Sequence, residues 1–158
     1  YKDESATEEA WKGGWFHTGD TVRMDENGML YFVDRSKNII RRAGENIAAA
    51  EVEAVLQTHE QVAQAAVLAA PDELREEEVY ACIVVMPDVD TNDELASDLF
   101  DWCRERLSYF KAPGYILFMD KLPTTGTQKI QKGQIFEPDT DMVSLPDVFD
   151  FRARKKRN

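Results

Sequence analysis

The organisation of this chain depends on Val33-Asp34-Arg35-Ser36-Lys37-Asn38-Ile39-Ile40-Arg41-Arg42-Ala43-Gly44-Glu45-Asn46-Ile47. A β-branched and aromatic run, Leu30 to Val33, leads into this stretch and breaks abruptly into charged residues. A short apolar piece follows at 38–40, the chain turns at Gly44, and a helix-forming run extends from Ala48 to His59. Strand, polar break, strand, glycine turn and helix in this order indicate a movable joint between two parts of the chain.

The residues before this joint have the pattern of a β-hairpin. Thr21 to Met24 predicts one strand and Met29 to Val33 the next. Between them, Asn27-Gly28 supplies the positive φ that tight turns require. Two strands are too few to fold alone. The first residue is Tyr1 rather than Met, so we expect the chain to be a piece of a longer protein.

The residues after the joint predict an α+β domain. Val79 to Met86 is almost entirely apolar, which is typical of a central strand covered on both faces. Thr91 and Glu94 have the spacing of a capping box, and the helix that follows carries an apolar stripe. The other predicted elements are a helix at 48–58 and strands at 62–70 and 115–119. We therefore expect a short β-sheet flanked by helices.

The composition excludes several classes of function. A formal net charge of −11 over 158 residues argues against general nucleic-acid binding, which requires a basic surface. The two cysteines, Cys82 and Cys103, lie in a strand-like and a helix-like run, which predicts buried, reduced thiols in a cytoplasmic protein. The longest apolar run is far shorter than the roughly 20 residues of a membrane span.

Two strongly charged segments are expected at the surface. Residues 73–78 are mostly acidic and are interpreted as a solvated face. The basic run at 152–157 is either a solvated tail or a contact for an anionic ligand or partner. It closes the segment 138–158, which is rich in proline, aspartate and charge. For that segment we expect an extended or partly disordered tail.

Asp20 and Arg35 are candidate ligands for a sugar or a phosphate. Asp20 follows Thr18-Gly19, and a carboxylate there is able to accept hydrogen bonds from two vicinal hydroxyls. The alternative is a turn aspartate that caps its own backbone. Arg35 follows the second predicted strand and is able to serve the same ligand, or to form a weak surface ion pair instead.

Lys129 is the strongest candidate for chemistry. It ends a loop rich in glycine and hydroxyl groups, from Pro123 onward, and such a loop is able to deliver one point charge to a phosphate. The spacing is not that of a Walker A loop, and a solvated lysine is the alternative. The two histidines, His17 and His59, are too few and too far apart in sequence to predict a metal site.

Together these residues resemble the C-terminal portion of AMP-forming acyl-CoA synthetases, members of the adenylate-forming superfamily. Three motifs carry the resemblance in the family's order and spacing. They are Trp15-Phe16-His17-Thr18-Gly19-Asp20, the stretch from Asp34 to Ile47 with Glu51-Val52-Glu53, and Pro123 to Lys129. The subgroup that the chain most resembles comprises fatty-acyl and carnitine or crotonobetaine CoA ligases. Any one motif is weak evidence, whereas three in register are specific.

The resemblance implies a role for each candidate residue. Asp20 and Arg35 would bind the ribose of AMP, and Lys37 would be the hinge about which a small lid domain rotates. Lys129 would be catalytic, since it would reach the acyl carboxylate and the α-phosphate during adenylation. The segment that contains Arg41, Gly44 and Glu45 would line the tunnel for CoA. No metal ligand is expected among these residues.

The resemblance also implies a domain organisation. Residues 1–33 would be a β-hairpin remnant that ends a large N-terminal domain, 34–137 would be the C-terminal lid, and 138–158 would be the tail. The partners would be a carboxylic acid, ATP, CoA and the chain's own N-terminal domain, with the Mg²⁺ ligand in that domain. This fragment is not expected to be active alone.

The chain departs from the family pattern at three positions. Gln128 stands where many relatives have glycine before the catalytic lysine, and Ala49 stands where many have proline. Lys37 replaces the aspartate of many hinges, although lysine also occurs there. The alternative function is a degenerate nucleotide-binding or interaction domain of the same fold, and the retained Asp20, Arg35 and Lys129 argue against it.

Overall fold

A computed structural model describes residues 3–156. Tyr1 and the last residue of the basic run at 152–157 lie outside this range. The chain divides between Lys37 and Asn38 into two compact units. This division lies four residues beyond Asp34, the predicted start of the lid. The assignment of the first unit to a larger N-terminal domain stays a prediction.

The first unit contains one helix and one β-hairpin. Helix α1 spans Glu4–Ala10 and begins at Asp3, whose Oδ1 accepts a hydrogen bond of 3.0 Å from the backbone N–H of Ala6. Strands β1 (Asp20–Met24) and β2 (Leu30–Arg35) pair antiparallel. Oδ1 of Asp25 accepts bonds from the N–H groups of Asn27 and Met29 at 2.9 and 3.0 Å, which closes the predicted turn.

One face of this hairpin is apolar and exposed within the unit. Val22 lies opposite Phe32 and Met24 lies opposite Leu30, so the four side chains share one face. Between 49% and 67% of each residue's surface is exposed. A soluble protein rarely leaves such a contiguous apolar face uncovered.

The second unit is an α+β domain, as predicted. The structure gives it strands β3 to β8 and helices α2 and α3. The elements are β3 (Ile39–Arg42), β4 (Glu45–Ala48), α2 (Ala49–Leu56), β5 (Val62–Asp72), β6 (Glu76–Val85), α3 (Asp93–Arg106), β7 (Tyr115–Phe118) and β8 (Val148–Asp150). The strand order is β4-β3-β6-β7-β8, and β5 also pairs with β6. Only the β6–β7 pairing is parallel among these described strands.

Strand β6 is the centre of this domain, and both of its faces are buried. Val79, Ala81 and Ile83 pack against α2 and α3 on one face. Tyr80 and Cys82 point to the other face, which is covered by residues from the segment after β7. The prediction of a central strand covered on both faces is confirmed, because alternating positions of β6 belong to two different apolar clusters.

The acidic segment is not a uniformly solvated face. Strand β5 continues through Pro71 to Asp72, and β6 begins at Glu76, directly opposite Asp72. Glu78 is therefore inside the sheet and has no exposed surface. The interpretation of residues 73–78 as a solvated face is wrong for Glu78, because two cations described below make burial of its carboxylate possible.

The C-terminal segment also differs from its expectation as a loose tail. Val148–Asp150 adds an antiparallel strand to β7. Phe151 stacks on Phe100 of α3 with ring centroids 5.0 Å apart. Arg152, Arg154 and Lys155 pair with carboxylates of the chain itself, as Arg154 does with Asp101 at 2.6 Å. Apolar side chains at intervals of a few residues pack this segment against the domain. Its largely charged composition does not predict this packing.

Candidate functional site

Asp20 and Arg35 lie side by side. They are directly opposite each other in the β1–β2 register, and Arg35 Nε is 3.7 Å from Asp20 Oδ1. A register shift leaves Val33 without an opposite residue, and such a bulge increases the local twist of the hairpin. Both side chains reach solvent, with exposed fractions of 33% for Asp20 and 61% for Arg35. A carboxylate acceptor and a guanidinium donor are thus presented together.

The approach to Asp20 is fixed by its neighbours. Gly19 has a φ of 75°, which glycine adopts without strain. The Gly19 carbonyl accepts a 2.7 Å hydrogen bond from the N–H of Ser36, and Thr18 Oγ1 accepts one of 3.2 Å from the N–H of Asp20. The Thr-Gly-Asp turn is therefore tied to the end of β2, where Arg35 lies.

Lys37 lies at the division between the two units. It belongs to a 3₁₀ turn, Ser36–Asn38, and is the last residue of the first unit. Asp34, three residues earlier, is buried, and its Oδ1 accepts a 2.7 Å hydrogen bond from the N–H of Arg35. The residue predicted to be the hinge thus follows a fixed strand end. Its role as a hinge stays a prediction.

Arg41, Gly44 and Glu45 lie together in the β3–β4 hairpin. Its two-residue turn consists of Ala43 and Gly44, with φ values of 49° and 83°, the left-handed conformations of a type I′ turn. A Cβ atom at Gly44 would contact nothing within 4 Å. The glycine is therefore required for backbone conformation rather than for space. Arg41, Gly44 and Glu45 are all exposed.

The hairpin is fastened to the start of β6. The N–H of Arg41 donates a 2.6 Å hydrogen bond to Glu77 Oε2, and the N–H of Ala43 donates one of 2.9 Å to the Arg75 carbonyl. Arg42 lies opposite Glu76 in the sheet. These contacts hold the turn beside the β5–β6 connection.

A buried ion cluster lies beneath this hairpin, and sequence reasoning missed it. Arg42 Nε donates to both carboxylate oxygens of Glu78, at 2.9 and 2.8 Å. The Nζ of Lys155 donates to Glu78 Oε1, as does the N–H of Val79 at 2.9 Å. The three charged side chains come from β3, β6 and the C-terminal segment. Burial lowers the pKa of Lys155 to about 8, although Glu78 opposes this shift.

Lys129 lies in a tightly closed loop. Thr124 and Ile130 form a β-bridge, and the N–H of Thr125 donates a 2.8 Å hydrogen bond to the Lys129 carbonyl. The N–H of Lys129 in turn donates to Thr125 Oγ1 at 3.2 Å. Gln128, which stands where many relatives have glycine, has a φ of 61°. The side chain of Lys129 is exposed, as delivery of its charge to a ligand requires.

A second ion pair supports the Lys129 loop. Lys132 Nζ is 2.7 Å from Glu53 Oε1 of α2. The same oxygen accepts a 2.7 Å hydrogen bond from the N–H of Val67 on β5. Lys132 lies three positions after Lys129, so the loop is tied both to a helix and to the sheet. The exposed fractions of the paired side chains are only 22% and 18%.

The domain keeps its two sets of candidate residues apart. The β3–β4 turn lies beside the start of β6. The Lys129 loop follows β7, whose last residue, Phe118, lies opposite Ile83 near the end of β6. The hairpin therefore lies beside the start of β6, whereas the strand that leads into the lysine loop ends near the end of β6.

Within residues 3–156, no group of three or more histidine, cysteine, aspartate or glutamate side chains is arranged to hold a metal ion. Over the same range, no helix has the length and apolar character needed to cross a lipid bilayer. Cys82 and Cys103 are buried free thiols, as predicted.

The sequence pattern of the AMP-binding enzyme C-terminal domain family matches residues 51–129, which is half of the chain. The chain therefore belongs to this family. Its fold is that of the C-terminal part of adenylate-forming CoA ligases, as the predicted resemblance requires.

Three CoA ligases are similar to most of this chain. A crotonobetaine/carnitine–CoA ligase of Proteus mirabilis (strain HI4320) is 38% identical over 133 residues, covering 84% of this chain and 25% of the ligase. A 2-succinylbenzoate–CoA ligase of Geobacillus kaustophilus is 41% identical over 130 residues, 82% of this chain and 26% of the ligase. The solved o-succinylbenzoate CoA synthetase of Bacillus subtilis, in complex with its acyl-adenylate intermediate, has a TM-score of 0.72 and 36% identity, covering 87% of this chain and 27% of that one. The chain thus spans about a quarter of the length of these relatives.

Proposed function

We propose that this chain is the lid end of an AMP-forming acid–CoA ligase. In the first half-reaction, a carboxylic acid attacks the α-phosphate of ATP to give acyl-AMP and pyrophosphate. In the second, the thiol of CoA attacks the acyl carbon and AMP leaves, which gives acyl-CoA. The observation that supports this most strongly is the similarity, over 87% of the chain, to a synthetase solved with its acyl-adenylate.

Asp20 and Arg35 bind the nucleotide in this proposal. Their side chains lie 3.7 Å apart and remain open to solvent, so a ribose with two vicinal hydroxyls is able to insert its donors toward the carboxylate. The guanidinium of Arg35 would donate to ribose or phosphate oxygens. The side-by-side placement favours a shared ligand over two independent surface charges.

Lys129 stabilises adenylation in this proposal. Negative charge on the α-phosphate is redistributed as the carboxylate attacks, and a positioned ammonium lowers the energy of that state. The closed loop from Thr124 to Ile130 restricts the backbone of Lys129 and leaves the long side chain free to reach a ligand. Mg²⁺ would neutralise the triphosphate, and we place its ligand in the larger N-terminal domain.

The β3–β4 hairpin serves the second half-reaction. Arg41, Gly44 and Glu45 would line the tunnel through which the pantetheine arm of CoA approaches the acyl-adenylate. A two-residue turn with Gly44 at its tip presents backbone rather than bulk, which suits a narrow tunnel. The division of the chain after Lys37 supports rotation of the lid between the half-reactions.

ATP–pyrophosphate exchange on the full-length protein tests this proposal. The acids to be tried should include a fatty acid, crotonobetaine and an aromatic acid such as 2-succinylbenzoate. We expect exchange with at least one acid, and a loss of at least about 100-fold in Lys129→Ala, since removal of one transition-state charge costs this much. Lys121→Ala, an exposed lysine near the same loop, is the control.

Each outcome has a distinct meaning. Exchange that is lost in Lys129→Ala and kept in Lys121→Ala supports both adenylation and the role of Lys129. Equal exchange in both variants would assign the catalytic charge to another residue. No exchange with any acid would favour the degenerate nucleotide-binding domain instead.

A further inference from the structure

The buried ion cluster joins the far C-terminal segment to the hairpin assigned to CoA. Glu78 and the side chain of Lys155 have no exposed surface, and only 6% of the Arg42 side chain is exposed. Moving three charges out of water is costly unless each is paired with good geometry. Here the carboxylate accepts from Arg42, Lys155 and a backbone N–H, so each charged group has a partner. The cluster is therefore a buried part of the domain and not a surface ion pair.

The cluster is placed where it controls the hairpin. Arg42 is the last residue of β3 and lies opposite Glu45, on the other side of the two-residue turn. The backbone N–H groups of its neighbours Arg41 and Ala43 donate to the Glu77 side chain at the start of β6 and to the Arg75 carbonyl. The side chain of Arg42 is therefore the main side-chain anchor that this strand end sends into the domain.

Lys155 reaches the cluster because its segment is fixed at several points. Arg154 pairs with Asp101 on α3, and Arg104 Nη1 of the same helix donates to the Arg154 carbonyl at 3.2 Å. The stacked ring of Phe151 lies four residues before Lys155. Residues 151–156 thus form a strap from α3 to Glu78, and Lys155 is its inner end.

We propose that Lys155 is a positioning residue for the thioester-forming half-reaction. Lys155 donates to Glu78, which in turn holds Arg42. This pairing fixes the orientation of the β3–β4 turn toward CoA. Lys129 lies in a separate loop with its own ion pair, so adenylation does not depend on this strap. The inference rests on the proposed function only for the identity of the substrate that meets the hairpin.

The test uses Lys155→Met in the full-length protein, because methionine keeps most of the length and removes the charge. Lys156→Met is the matched control, since the neighbouring lysine is exposed. Lys132→Met, which breaks the ion pair under the Lys129 loop, is the reciprocal variant. The two half-reactions are measured separately, as ATP–pyrophosphate exchange and as single-turnover transfer from acyl-AMP to CoA.

We expect Lys155→Met to exchange pyrophosphate within about twofold of the wild type and to transfer to CoA about tenfold more slowly, with a higher KM for CoA, since small misplacements have effects of this size. Lys132→Met should instead slow pyrophosphate exchange and leave the transfer to CoA nearly unchanged. Lys156→Met should change neither step. A purely structural role for Lys155 would lower both steps together or only the melting temperature, and either result would overturn the proposal.

Hydrogen–deuterium exchange adds a readout that does not need activity. In Lys155→Met we expect faster exchange at the amides of residues 41–45 and unchanged exchange at 124–130. Unchanged protection at 41–45 would refute the strap. If no acid supports pyrophosphate exchange in the wild type, the proposed function fails, but this measurement still decides whether Lys155 positions the hairpin.

Discussion

The side chain of Glu78 occupies the space in which a Cβ atom at Gly114 would lie. Such an atom would be 2.3 Å from Cγ and 2.6 Å from Cδ of Glu78. Backbone bonds of 2.8 Å join Gly114 N–H to the Val79 carbonyl and Phe151 N–H to the Gly114 carbonyl, so the glycine is unable to move away. Gly114 is where β6 and the C-terminal segment approach closely enough to enclose the carboxylate.

Gly114→Ala should therefore destabilise the chain strongly. We expect the free energy of unfolding to fall by about 2 kcal/mol or more, because overpacking of a fixed buried group has no cheap relaxation. Urea denaturation followed by circular dichroism measures the change. Gly133→Ala is the control, since Gly133 has open space around its Cβ position and no positive φ. Equal stability of the two variants would contradict the close approach.

The ion pair between Lys132 and Glu53 is expected to support adenylation. Glu53→Gln and Lys132→Met should each lower ATP–pyrophosphate exchange several-fold in the full-length protein, because each loosens the Lys129 loop. The double variant should lose little more than either single one, since both break the same contact. Strictly additive losses in this double-mutant cycle would show that the two residues act separately.

The pH dependence of stability should reveal the buried lysine. Lys155 has an ordinary pKa of 10.5 and a folded pKa of about 8, so between these values the unfolded chain binds more protons. Stability then rises with pH from about 8 to 10.5, by at most about 1.4 kcal/mol per pH unit. Below pH 8 Lys155 is charged in both the folded and the unfolded chain, and the cost of burying its charge then lowers the free energy of unfolding in full.

Buried thiols oppose this rise, so the comparison needs a variant. Burial raises the pKa of Cys82 and of Cys103 from 9.0 to about 12, with Arg106 opposing the shift at Cys103. Their contribution to stability falls as pH increases above 9, because the folded chain then holds the extra protons. Subtracting the Lys155→Met curve from that of the wild type removes this contribution. A flat difference between pH 8 and 10 would contradict the lowered pKa of Lys155.

The same two thiols should be unreactive in the folded chain. A buried thiol with a raised pKa offers neither access nor thiolate to a reagent. At pH 8 we expect Ellman's reagent to modify neither cysteine in native protein within minutes, and both in 6 M guanidinium chloride. Fast modification of native protein would indicate that α3 or β6 opens readily.

Much of the fold was predictable because its signals are local. The apolar run at 79–86 identified the central strand, and Asn27-Gly28 identified the first hairpin. The predicted N-cap of α3, Thr91, was wrong by one residue. The N-cap is Asn92, whose Oδ1 accepts a 2.9 Å hydrogen bond from the N–H of Leu95. Both side chains are good caps, and only the backbone geometry decides between them.

The buried cluster was not predictable, because its members are far apart in sequence. Arg42, Glu78 and Lys155 each lie in a charged run that is typical of a surface, and no spacing connects them. Gly114 gave the one available signal, a glycine next to a strand that permits close approach. The candidate residues of the site, by contrast, could be named from motifs. Asp20 and Arg35 lie side by side in the structure, and their role in binding stays a prediction.

The position of the cluster constrains how this domain is exchanged between relatives. The family pattern covers 51–129, so it contains Glu78 but neither Arg42 nor Lys155. A graft cut to that pattern would carry the buried carboxylate without Arg42 and Lys155, so the host would have to supply cations in their place. To transfer this domain with its ion cluster intact, in the laboratory or through recombination, residues on both sides of the matched range must be transferred with it.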